Sequence, residues 1–134
     1  MKVTFALAGA LLGIVLVAPV AAHHSFAAEF DVNKPITLAG VLTKMEWINP
    51  HGWIYIDVKG SSGDIEHWSI ESAAPNQLIR RGLRKEDFPA GLEVVVKGYR
   101  SRDGSATANA ESITFKDGRN FYMGSQTQSA PAAR

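Results

Sequence analysis

No cysteine occurs among the 134 residues of this chain. Its absence excludes a disulfide framework, thiolate metal sites and a cysteine nucleophile. An excess of one charge sign is missing too. Fourteen Lys and Arg stand against 13 Asp and Glu, so no strong field draws the chain to nucleic acid. Four catalytic signatures are absent: the Gly-x-Ser-x-Gly elbow, the phosphate-binding loop, the dinucleotide fingerprint and the His-Glu-x-x-His helix. No close acidic pair shares one helix. The chain is therefore read as a binding protein rather than an enzyme, with a hydrolase as the less favoured reading. The apolar run from Phe5 to Val17 is shorter than the roughly 20 residues that span a bilayer.

That run does fit the core of a signal peptide. Lys2 precedes it, and Val20-Ala21-Ala22 follows with small side chains where a signal peptidase reads them. Cleavage after Ala22 is expected; cleavage after Ala21 would put Pro19 at the more selective position. Residues 1–22 are thus read as a signal peptide, and the mature protein as periplasmic or secreted. Contact with a membrane is expected only through the uncleaved signal. Only Lys2 is charged in the removed segment, so the mature chain carries 13 acids and 13 bases. Without disulfides, it must hold itself by its core.

The mature chain divides into an arm (23–35), a β-rich domain (36–123) and a small, polar tail (124–134). The tail has too little apolar surface to offset its ordering entropy. In the domain, "ITLAGVLTKMEWIN" (36–49) reads as a long half-buried strand and "PHG" (50–52) as its break. "WIYIDVK" (53–59) and "IEHWSIE" (65–71) alternate as second and third strands around the Gly-containing "GSSGD". The period then changes. Pro75 opens and Gly82 closes a short helix over 75–81, with Leu78 and Ile79 as its apolar face. "LEVVVKGY" (92–99) and "ATANAESITFK" (106–116) are the fourth and fifth strands across an Asp-Gly turn. "NFYM" (120–123) adds a short edge strand. Three strands, a helix and two strands give the order of a five-stranded, OB-like Greek-key barrel, mainly β; an open β-sandwich or roll has the same order. A monomer is expected.

Several segments together resemble an exported bacterial family described as a domain of unknown function, number 6152. They are His23-His24-Ser25-Phe26, Asn49-Pro50-His51, Trp68 with Glu71, Pro75-Asn76 with Leu78, Arg81-Gly82 and Arg102-Asp103-Gly104-Ser105. The likeness spans roughly 22–121 and implies export and a small β-rich domain, but no activity. One departure is Leu83, where the family often has Trp.

Candidate sites follow from side-chain chemistry. A chain cut before His23 pairs an α-amine with an imidazole, a Cu(II)-capable grip. A cut one residue earlier makes His24 the third residue, which is the amino-terminal square of copper and nickel peptides. Candidate metal ligands are thus His23, His24, His51 and His67, with copper at the processed terminus as the possible cofactor. His67 and Glu71 share a strand face about 13 Å apart, too far for one ion. His67 is expected to pair across the sheet with Tyr55 or Asp57. Glu71 is expected to cap the helix or to meet Arg80, Arg81 or Arg102. Trp47 and Trp68 fall on the core parity, whereas Trp53 and Tyr55 sit beside Asp57 on the outer one. Trp53, Tyr55, His51 and Arg102 form the candidate surface for a small ligand or an envelope protein. Arg80, Arg81, Arg84 and Lys85 precede Glu86 and Asp87 and read as a solvated helix end.

Overall fold

Alternating apolar residues set where this chain bends back on itself. The computed structural model describes residues 25–125. The expected signal peptide, His23, His24 and residues 126–134 of the expected tail lie outside the described residues. A short helix α1 (Phe26–Glu29) leads into β1 (Phe30–Glu46), β2 (Trp53–Lys59) and β3 (Ile65–Glu71). Then come α2 (Pro75–Arg80), a 3-10 turn (Lys85–Asp87), β4 (Glu93–Ser101), β5 (Thr107–Phe115) and β6 (Asn120–Tyr122).

β2 and β3 coincide with the two alternating runs, and the turn between them uses Gly63 at φ +90°, a conformation costly for residues with a Cβ. β1 pairs antiparallel with β2 and β4, and β4 with β5. The ring closes where β3 meets β5 in parallel, Ser69 to Thr107 through Glu71 to Asn109. The chain is mainly β, a barrel in the OB-like Greek-key order, and β6 extends β5 over Ser112–Thr114.

Tight closure needs strands that coil, and two bulges supply this. In β1 the register slips between Leu42 and Lys44, leaving Thr43 as the extra residue. The slip reverses parity. Leu38 and Leu42 point inward before it, and Met45 and Trp47 pack on the core after it, while Val41 is 40% exposed. In β5 the slip leaves Glu111 extra, opposite Lys97 and Gly98. A Cβ at Gly98 would collide with the carbonyl oxygen of Asn109, so glycine permits this approach.

The interior is filled by alternate residues: Ile54 and Ile56 from β2, Trp68 and Ile70 from β3, Val94 and Val96 from β4, Ile113 and Phe115 from β5. Each fully buried aliphatic or Phe side chain contributes roughly 1.5–3 kcal/mol. α2 plugs the barrel with Leu78 alone; Ile79, expected on the same face, is 57% exposed. The helix begins with Pro75 and stops at Gly82, φ +92°. Leu83 is fully buried, which explains an apolar residue there without any stacking role.

Both ends of the domain differ from expectation. β1 begins at Phe30 rather than Ile36, because Phe30 is 3% exposed and stacks on Phe26 at 5.6 Å. Phe26 also meets Tyr99 edge-on. Phe26 and Phe30 thus anchor the described part of the expected arm to the barrel. At the other end the Met123 amide donates to the Glu111 carbonyl and the Met123 carbonyl accepts from the Ala73 amide. Gly124 is buried too, so packing runs past the expected start of the tail.

Candidate functional site

Ring closure sets β3 between the strands that follow two loops far apart in sequence. The first, 47–52, joins β1 to β2; the second, 102–106, joins β4 to β5. The first leads into Trp53, opposite Glu71 of β3, and the second into Thr107, opposite Ser69 of β3.

In the first loop the Asn49–Pro50 peptide is cis. The Gly52 amide donates to the Ala73 carbonyl and the Gly52 carbonyl accepts from the Ser72 amide, which ties the loop to the end of β3. His51 is held over Glu71, with Nδ1 3.5 Å from Oε1 of that carboxylate. Nδ1 is shut off from solvent and its approach to the carboxylate falls short of hydrogen-bond geometry. Glu71 also accepts from the Asn109 side-chain amide at 3.3 Å, and Asn109 is itself buried. Glu71 therefore does not cap α2, whose N-cap is Ala74 without side-chain support. Arg81 donates to the Tyr122 carbonyl and Arg102 to the Ala27 carbonyl. The parallel β3–β5 ladder sets Asn109 beside Glu71, and the loop swings His51 over it. An imidazole with one nitrogen turned to a carboxylate presents the other outward, the arrangement common to metal-ligating and proton-exchanging histidines.

The second loop is braced from inside. Asp103 Oδ1 accepts from the Ser101 hydroxyl at 2.8 Å and the Ser105 amide at 2.9 Å. Hydrogen bonds from the Ser105 side chain, then from its amide, then from Ser101 lower the Asp103 pKa to about 2. Arg100 Nη2 donates to the Gly104 carbonyl. Arg102 faces α1: its backbone amide donates to the Glu29 carbonyl and its Nε to the Ala27 carbonyl, both at 2.8 Å. His51, Glu71 and Arg102 thus do not converge as an acid–base trio.

Arg102 shares a groove with Trp53 instead. This groove, of about 400 Å³, runs between α1, Trp53 and the second loop, with Glu29, Asp103, Ser105 and Thr107 in its walls. Trp53 and Arg102 were both candidate ligand residues, and they share this groove. Tyr55 does not: its hydroxyl donates to Glu46 at 2.9 Å and Lys44 lies 4.7 Å from its ring centroid. Burial first, then the bond to Glu46, raises the Tyr55 pKa. Hydrogen bonds from Lys44 and Tyr55 lower that of Glu46.

His67 pairs with Asp57 at 2.6 Å across the β2–β3 ladder, as expected, and is not brought to His51. Among the described residues no group of three or more His, Asp or Glu side chains is placed to hold a metal ion. Arg81 donates to the Tyr122 carbonyl and lies over that ring. A larger groove of about 690 Å³, lined by Val41, Lys59, Ile65 and Lys116 among others, contains none of the candidate site residues.

Fold and groove together define a small OB-like barrel with a groove bounded by α1, Trp53 and the 102–106 loop. The chain belongs to a family of unknown function (DUF6152), whose sequence model matches residues 12–110. No curated protein and no solved structure matches it.

Proposed function

We propose that this chain is an exported accessory protein of the bacterial envelope, periplasmic or secreted, that binds a small ligand or a metal ion on the surface of its barrel. The observation that carries the reading is the groove of about 400 Å³ that is lined by both Trp53 of β2 and Arg102 of the β4–β5 loop. A small-ligand site combines an apolar or aromatic lining with a few placed polar groups. Small barrels of this order take ligands on strands two and three and on the loops beside them. Export is supported by the apolar run from Phe5 to Val17 followed by Val20-Ala21-Ala22.

The metal variant rests on His23 and His24, with His51 as the one described imidazole left to join them, since His67 is engaged by Asp57. The alternative, a module that docks an envelope protein through Trp53 and Tyr55, has less support because Tyr55 is occupied by Glu46 and Lys44.

The test is native mass spectrometry of protein recovered from the envelope without denaturation. The expected mass starts at His23 and carries a small-molecule or metal adduct, and Trp53→Ala with Arg102→Gln loses a small-molecule adduct. A chain found only in the cytosol with its leader intact overturns export. Bare protein that takes up nothing from an envelope extract, and gives only aqueous Cu(II) in electron paramagnetic resonance, overturns binding.

A further inference from the structure

The walls of this groove carry a particular mixture of chemistry. Glu29 and Asp103 offer acceptors, Arg102 offers donors, Ser105 and Thr107 carry hydroxyls, and Trp53 supplies an aromatic surface. An anionic ligand would face two carboxylates against one guanidinium. An organic cation would have that guanidinium beside the ring it needs. A neutral molecule with an apolar face and many hydroxyls, each both donor and acceptor, matches all the parts.

We propose that the groove between α1, Trp53 and loop 102–106 is a subsite for a neutral pyranose sugar, free or as a unit of an envelope glycan. This deepens the reading of the groove as a ligand site and rests on it. The C–H face of the sugar lies on Trp53, and its hydroxyls bridge the carboxylates on one side and Arg102 on the other. Two further features fit. The volume of about 400 Å³ lies near the small end of ligand sites and suits one or two rings rather than a long enclosed chain. The walls are also set before binding: Arg102 is pinned to Ala27 and Glu29, Asp103 to Ser101 and Ser105, and Gly104 to Arg100. Little ordering remains to oppose a weak ligand.

The experiment is a ¹⁵N–¹H titration of the mature chain with methyl glucoside, cellobiose and the disaccharide of N-acetylglucosamine. Inorganic phosphate and tetramethylammonium serve as controls. A saturable shift of the Trp53 indole signal and the 102–107 amides is expected, with dissociation constants around ~1 mM. Trp53→Ala weakens binding by about tenfold or more. Thr107→Val, close in shape to wild type, weakens it severalfold with the remaining spectrum unchanged. Cosedimentation with cellulose, chitin or cell-wall sacculi separates a glycan from a free sugar, and either result supports the proposal. Sugars that move none of these signals up to their solubility overturn it. If phosphate or tetramethylammonium then shifts the same signals, the groove remains a ligand site and only the sugar class fails; if no probe does, both fail.

Discussion

Replacing Gly98 with alanine tests the coiled closure on which the groove depends. Gly98 faces the bulge at Glu111, where β5 comes closest to β4. The new methyl group would lie against the Asn109 carbonyl oxygen, 2.9 Å from its carbon and 3.2 Å from the Ala110 Cα. These are backbone atoms, so no side chain can swing away, and β5 must shift. The shift strains the pairs Gly98–Ala110 and Tyr99–Asn109 and, through Asn109, the closure with Glu71. Overpacking costs about 1–3 kcal/mol, and two weakened backbone hydrogen bonds add about 1 kcal/mol each. Together that is about 3–5 kcal/mol, a large part of the roughly 5–15 kcal/mol that holds a domain folded. The midpoint of thermal unfolding should fall by about 15–25 °C. Gly118→Ala is the control: its φ is +89° and nothing lies within 4 Å, so only the conformational cost of about 1–2 kcal/mol applies. Urea unfolding followed by tryptophan fluorescence measures both. If Gly98→Ala stays within about 1 kcal/mol of wild type, or costs no more than Gly118→Ala, the closure argument is wrong.

Three other perturbations address other parts of the barrel. Phe30→Ala removes a ring that is 3% exposed and stacked on Phe26; it should cost about 3–4 kcal/mol in urea unfolding and open α1 to protease. Asn109→Ala removes a buried amide that donates to Glu71, and calorimetry should show a loss of about 1–3 kcal/mol. Asp103, with its pKa lowered from 3.8 to about 2, stabilises the fold fully above the ordinary carboxylate range, and that contribution drains away as pH falls toward about 2. Asp103→Asn lacks this step, so the stability gap between the two proteins, read by acid titration of fluorescence, should close below pH 3; a gap that widens there refutes the loop bracing.

What was legible in the chain follows from range. β2, β3 and α2 were readable to within a residue because alternation, Gly-containing turns and the Pro75–Gly82 pair are local signals. The His67–Asp57 pair was readable because both lie on one face of adjacent strands. The bulge in β1 was not readable because an extra residue at Thr43 leaves no mark in composition; it shows only once β1 is laid against β2. The start of β1 was missed because Asp31, Asn33, Lys34 and Pro35 look like a polar linker, and Phe30 holds its place through contacts with Phe26. The bond from Asn109 to Glu71 was not readable because Asn109 lies 38 residues away and reaches it through the parallel closure. Trp53 and Arg102 were each picked out for their chemistry, but their shared groove exists only in the closed ring.

Amide hydrogen exchange of the mature protein, with and without the small-molecule fraction of the envelope, tests the groove as a binding site most directly. The account predicts slower exchange at 28–30, 53 and 101–107 when the fraction is present, with the rest of the barrel unchanged. Unaltered exchange at these residues, or protection centred instead on the groove around Val41 and Ile65, would contradict it.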